Sequence, residues 1–137
     1  MIKLNPYIHF KDNTREAMDF YKSIFGGELE ISTFKEGMNM EGPDADKIMH
    51  AQLNIGPEMT LMASDTPPGM EINPGATVTI TLSGNSGDEE KLKSHWEGLS
   101  EGANITVPLD KSPWGDTFGM LTDKFGIEWM VNIGAQK

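Results

Sequence analysis

Between residues 5 and 10 apolar and polar side chains alternate, with Ile8 and Phe10 on one face and Asn5, Tyr7 and His9 on the other. That two-residue period predicts a half-buried strand. The period then changes: Asp12, Asn13 and Thr14 offer capping oxygens, and Ala17, Phe20, Tyr21, Ile24 and Phe25 recur at helical spacing until Gly26 and Gly27 stop the run. Extended character returns over residues 28–35. Two further runs, 48–55 and 58–64, flank Gly56-Pro57 and predict a hairpin. The stretch 35–46, with Gly37, Gly42 and Pro43, reads as a mobile loop.

The same order then recurs after a Pro/Gly-rich stretch. A strand is predicted over 77–83, a helix over about 88–101, and three strands over 105–109, 116–122 and 127–132. A shift of 74 positions lays Glu16, Met18 and Phe25 on Glu90, Leu92 and Leu99, and a shift of 70 lays Gly56-Pro57-Glu58 on Gly126-Ile127-Glu128. Two copies of a βαβββ module explain both offsets. The expected class is therefore α+β, one domain over 1–137, with module one at 1–66, a linker at 67–75 and module two at 76–137.

Composition narrows the function more than the fold. A length of 137 residues suits one domain, and 37% hydrophobic residues with 3 Trp, 2 Tyr and 6 Phe suffice for a core. The formal charge of -10 argues against nucleic acid and anionic membranes as partners, since both need clustered Lys and Arg. No window approaches the roughly 20 apolar residues of a membrane span, and the first residues run into a strand pattern without a signal-peptide core. A cytoplasmic location is expected, with small molecules or a second copy as partners. The absence of cysteine excludes disulfides, thiolate metal sites and cysteine nucleophiles.

Several separated motifs carry a resemblance. Pro6-Tyr7-Ile8-His9-Phe10, Glu16-Ala17-Met18-Asp19-Phe20-Tyr21 and Phe25-Gly26-Gly27-Glu28 look like the vicinal oxygen chelate superfamily, which includes glyoxalase I, bleomycin-resistance proteins and extradiol dioxygenases. His50-Ala51, Leu61-Met62-Ala63-Ser64-Asp65, Trp114-Gly115-Asp116, Phe118-Gly119 and Asp123-Lys124-Phe125-Gly126-Ile127-Glu128-Trp129 resemble its PhnB-like branch more narrowly. The resemblance implies paired βαβββ modules whose mixed sheets curl around a cleft, in a homodimer. It also carries the label of a ubiquinone-pathway methyltransferase, although no glycine-rich strand-turn-helix for S-adenosylmethionine is found.

Alternation agrees with such a cleft. Ile8, Phe10, Val78, Ile80 and Leu82 make apolar faces suited to packing under the helices. Asn5, Tyr7, His9, Thr77, Thr79 and Thr81 then face the other way, as by the same parity do His50, Gln52, Asn54, Phe118, Met120, Glu128, Met130 and Asn132. Trp114, in a turn-rich loop, either stacks on a ligand or anchors its own module. Trp129 is expected under a helix and His95 on the surface. The metal-dependent relatives take ligands from the first and last strands of each module, where this chain has Asn5, Thr60 or Met62, Thr77 and Met130. None is a good ligand.

The reading is a metal-independent protein that binds a small organic molecule through Asn5, Tyr7, His9, His50, Gln52, Thr77, Thr79, Trp114, Phe118, Met120 and Met130, with no cofactor. The alternative is an enzyme of lyase, isomerase or dioxygenase type. It would hold one divalent metal ion at His9, His50 and Glu128, or use Glu128 as a general base.

Overall fold

The alternating runs become strands, and each helical run lies against one face of the sheet its own half builds. The computed structural model describes residues 4–57, 59–66 and 78–134, so the 67–75 linker and Thr77 lie outside the described residues. The chain divides into two compact units, 1–74 and 75–137. The first contains β1 (Tyr7–Phe10), α1 (Thr14–Phe25), β2 (Glu28–Thr33), α2 (Phe34–Met38), β3 (Ile48–Gly56) and β4 (Met59–Asp65). The second contains β5 (Ile80–Gly84), a 3-10 turn (Ser86–Asp88), α3 (Glu89–Leu99), β6 (Asn104–Lys111), β7 (Thr117–Thr122) and β8 (Glu128–Ile133). Their sheets run β1-β4-β3-β2 and β5-β8-β7-β6, each with one parallel pair, β1 with β4 and β5 with β8. The expected α+β class with two βαβββ modules is what the chain adopts.

In the first unit α1 turns Ala17, Met18, Tyr21 and Phe25 inward, while the sheet answers with Ile8, Phe10, Ala51, Leu53, Leu61 and Ala63, all buried. The start of α1 is not capped by the oxygens at 12–14. Asn13 makes no side-chain cap bond. Instead Asp65, at the end of β4 and 3% exposed, accepts the Thr14 N–H at 3.0 Å and the Ile48 N–H at 2.8 Å. One carboxylate thus ties the helix start to β3 and satisfies two buried donors. Gly27 (φ +89) follows the helix where an added Cβ would run into the Asn54 carbonyl, so only glycine lets β2 close on β3.

The stretch expected to be a mobile loop is partly helical. Thr33 and Glu36 form a reciprocal capping box around α2, with Glu36 N–H to Thr33 Oγ1 and Thr33 N–H to Glu36 Oε1 both at 3.2 Å. Phe34 and Ala45 are buried, and their segment is tied back by Phe34 N–H to the Lys47 carbonyl and Lys35 N–H to the Ala45 carbonyl. Five helical residues are too few for hydrophobic periodicity to register.

In the second unit α3 packs Leu92, His95, Trp96 and Leu99 toward Leu121, Trp129, Val131 and Ile133. His95 is therefore a core residue, 6% exposed, and not the surface residue expected; its place between Leu92 and Leu99 puts it on the inward face. Trp129 lies buried as expected, and its Nε1–H donates to Asp123 Oδ2 at 2.9 Å, while Asp123 Oδ1 accepts the N–H groups of Phe125 and Ile127. Val78, expected to pack under the helix, precedes β5 and is 77% exposed. α3 covers β5 and β8. The edge strand β6 leaves Ile105 and Val107 exposed.

Candidate functional site

Because successive strand residues point to opposite faces, burying one set under α1 exposes the other. Across the first unit's sheet the register aligns Tyr7 with Met62, Met62 with Gln52 and Gln52 with Glu30, and on the next row it aligns His9 with Ser64. These side chains bond mainly to one another. Tyr7 Oη lies 3.3 Å from His50 Nδ1, His50 Nε2 lies 3.4 Å from Gln52 Oε1, and Gln52 Nε2 donates to Asn54 Oδ1 at 2.8 Å. Asn54 Nδ2 reaches Glu30 Oε2 at 3.5 Å, and Ser64 Oγ lies 3.3 Å from His9 Nδ1. The Tyr7 ring sits between the imidazoles, its centroid 5.2 Å from that of His9 and 5.8 Å from that of His50.

The second unit's corresponding face has different chemistry. Its register aligns Thr81 with Met130, Met130 with Met120 and Met120 with Val107, so the middle row is mostly apolar. Thr81 Oγ1 points at the Met130 sulfur, 3.8 Å away. On one side Thr79 donates to Glu128 Oε2 at 3.3 Å; on the other Asn132 Nδ2 donates to Asp116 Oδ2 at 3.1 Å. Trp114 stands 63% exposed, its ring edge-on to Phe118 at 5.6 Å. The loop that holds it is closed on itself: the N–H and Oγ of Ser112 both donate to the Asp116 carbonyl at 2.7 Å, and Gly115 takes φ +101. A loop closed by its own hydrogen bonds presents this indole to solvent, where it offers a flat apolar surface.

Of the residues singled out, Tyr7, His9, His50 and Gln52 gather on one open face, and Thr79, Trp114, Phe118, Met120, Glu128 and Met130 lie on or beside the other. Asn5 is half-buried just before β1. Glu30 joins this face although it is not among the residues singled out from the sequence. Its alternation with Leu29 and Ile31 on β2 was the signal that could have found it. For a metal, the donor positions of the resemblance hold Thr60, Met62 and Met130, which offer weak oxygen or thioether donors. Among the described residues no group of three or more His, Asp or Glu is gathered to hold an ion. His9 and His50 belong to the first unit and Glu128 to the second.

A separate groove of about 580 Å³ lies at the start of α1, among Asp12, Arg15, Glu16, Asp19, Asp46 and Lys47. The Lys47 ammonium sits between Asp44 at 2.7 Å and Asp12 at 3.0 Å, and those carboxylates hold its proton above the usual lysine range. Lys47, one of two cations lining the groove, is thus already paired with carboxylates.

Comparison with known proteins bears on the family and the fold. A family model described as 3-demethylubiquinone-9 3-methyltransferase matches residues 2–132. The crystal structure of protein PA1353 from Pseudomonas aeruginosa is similar at 35% identity with a TM-score of 0.83, aligned over 99% of this chain and 100% of that one. The PhnB protein from Bacillus cereus is similar at 26% identity and a TM-score of 0.67, over 97% and 100%. A glyoxylase/bleomycin resistance protein/dioxygenase domain from Frankia sp. EAN1pec shares the fold at 14% identity and a TM-score of 0.63, over 99% and 94%.

Proposed function

The chain belongs to the family described as 3-demethylubiquinone-9 3-methyltransferase, the PhnB-like branch of the glyoxalase/bleomycin resistance/dioxygenase superfamily, and from that premise we propose that it binds a small organic molecule on its open sheet faces without a metal. The observation that carries this reading is the open face of the first unit. Its polar groups are ordered by one another, and the Tyr7 ring among them is 43% exposed. Preordered polar groups beside accessible aromatic and thioether surface are what recognition of a small ligand requires. The protein acts in the cytoplasm as a homodimer in this proposal, in keeping with a chain without cysteine. Among the described residues no helix is long and apolar enough to cross a membrane.

Methyl transfer, which the family's description names, finds little support in the residues. β1 enters α1 through Lys11-Asp12-Asn13, with no glycine-rich turn. In the turn before α3 the Gly87 and Asn85 N–H groups are taken by Asn85 Oδ1 at 2.9 Å and Asp88 Oδ2 at 3.2 Å, and acidic residues follow.

The rival is the metal-dependent enzyme at His9, His50 and Glu128. Elemental mass spectrometry of protein purified without a histidine tag separates the two. The binding reading expects far less than one metal ion per chain and no thermal shift with divalent ions. Stoichiometric metal that disappears in His9→Ala or His50→Ala would overturn it. Solution mass at a single-chain value would remove the dimer.

A further inference from the structure

The hydrogen bonds on the first unit's open face can be given a direction from one end. An ionised carboxylate has no proton to give, so Asn54 presents its amide Nδ2 to Glu30 Oε2. Asn54 Oδ1 therefore faces Gln52, which donates from Nε2 at 2.8 Å. That leaves Gln52 Oε1 facing His50 Nε2 at 3.4 Å, and because a carbonyl oxygen can only accept, Nε2 carries the ring proton. The other nitrogen of a neutral imidazole is then bare. Tyr7, 3.3 Å from Nδ1, must be the donor there.

We infer that Tyr7, His50, Gln52, Asn54 and Glu30 form one oriented chain, in which a single carboxylate fixes the His50 tautomer and leaves the Tyr7 oxygen on the open face as an acceptor only. Each link polarises the next in the same sense, so the chain acts as a unit. The ligand class follows from the spent proton. A group that meets Tyr7 Oη has to donate, as a hydroxyl, an amide N–H or an ammonium does, whereas an ether or carbonyl oxygen meets lone pairs. This part deepens the binding reading above and rests on it; the tautomer does not. The same geometry restricts a metal, because the only bare nitrogen of His50 is the one that accepts the Tyr7 O–H hydrogen bond.

The tautomer is read by nitrogen NMR of imidazole-labelled protein, with His50 assigned by its loss in His50→Asn. A bare Nδ1 and a protonated Nε2 are expected. Glu30→Gln should give a mixture, since a glutamine amide can donate or accept and no longer fixes Asn54. A proton on Nδ1, or a His50 spectrum indifferent to Glu30→Gln, overturns the chain. The ligand class is tested with benzyl alcohol and benzyl methyl ether, neutral probes matched in their ring, followed at the Tyr7 and His9 resonances. The alcohol should bind about three- to tenfold more tightly, the value of one hydrogen bond, and Tyr7→Phe should erase the difference. Equal binding overturns the donor preference. If neither probe moves those resonances, the ligand part fails together with the binding reading, while the tautomer stands or falls on the protein alone.

Discussion

Across equivalent rows of their sheets the first unit sets Tyr7, Met62, Gln52 and Glu30, and the second sets Thr81, Met130, Met120 and Val107. Strand order and the parallel pair are the same in both. The first row is mostly hydrogen-bonding groups and the second mostly thioether and aliphatic ones, so the repeat supplies a frame and the outward parity of each strand supplies the chemistry. The inward faces diverge too. Behind the first row Ile8, Ala63 and Ala51 lie in register, and behind the second Leu82, Val131 and Gly119. The smaller residue in the second unit makes room for a larger one on the helix, Trp96.

The units also use a buried aspartate differently, and removing each should expose the contrast. Asp65 spans 51 residues to reach Thr14 and 17 to reach Ile48, whereas Asp123 accepts the Phe125 and Ile127 N–H groups and the Trp129 indole N–H, two, four and six residues along the chain. Asp65→Ala strands two N–H groups at the junction of helix and sheet and is expected to cost about 2–6 kcal/mol, at about 1–3 kcal/mol per stranded donor. Asp123→Ala should cost less, because only one of its three stranded donors, the Trp129 indole N–H, is buried, while the Phe125 and Ile127 amides lie in a part-buried turn that water can reach. Urea denaturation of both variants decides the order, and a larger loss in Asp123→Ala would reverse the contrast.

Next in size is Gly119→Ala. The new methyl would lie 2.8 Å from the Trp96 ring and 2.9 Å from the Leu109 Cα, so α3 or β6 has to move, at about 1–3 kcal/mol. The first unit already has alanine at the matching position, Ala51, fully buried. Gly119→Ala combined with Trp96→Leu should recover part of the loss in thermal unfolding. No recovery would mean that the β6 backbone, rather than the indole, sets the limit.

Much of this was legible in the sequence, and what was not has a common cause. The strands, both long helices and their repeat followed from local periods of two and 3.6 residues, and so did the outward parity of Tyr7, His9, His50, Gln52 and Met130. The cap of α1 could not be read, because its oxygen comes from Asp65, far along the chain, and local capping residues were at hand to mislead. His95 was misplaced because its polarity outweighed its spacing between Leu92 and Leu99. Glu30 was overlooked because a carboxylate on an edge strand is usually only solvated. Its role depends on Asn54, which pairing across β2 and β3 brings near. Local pattern carries the elements; partners brought together by pairing carry the site.

The smallest effect tests the second unit's open face most directly. The protein has three tryptophans, and their exposures differ widely: Trp114 is 63% exposed, Trp96 8% and Trp129 2%. Trp114→Ala should change stability by no more than about 0.5 kcal/mol, since an exposed ring in a loop closed by its own backbone bonds holds up little else. The same substitution should remove most of the fluorescence that aqueous acrylamide quenches, leaving the two buried indoles protected. If quenching persists in Trp114→Ala, the packing of α3 on its sheet does not bury Trp96 and Trp129 as described. If stability falls by more than about 1 kcal/mol, Trp114 is an anchor for its module, and the case for a stacking surface beside Phe118 goes with it.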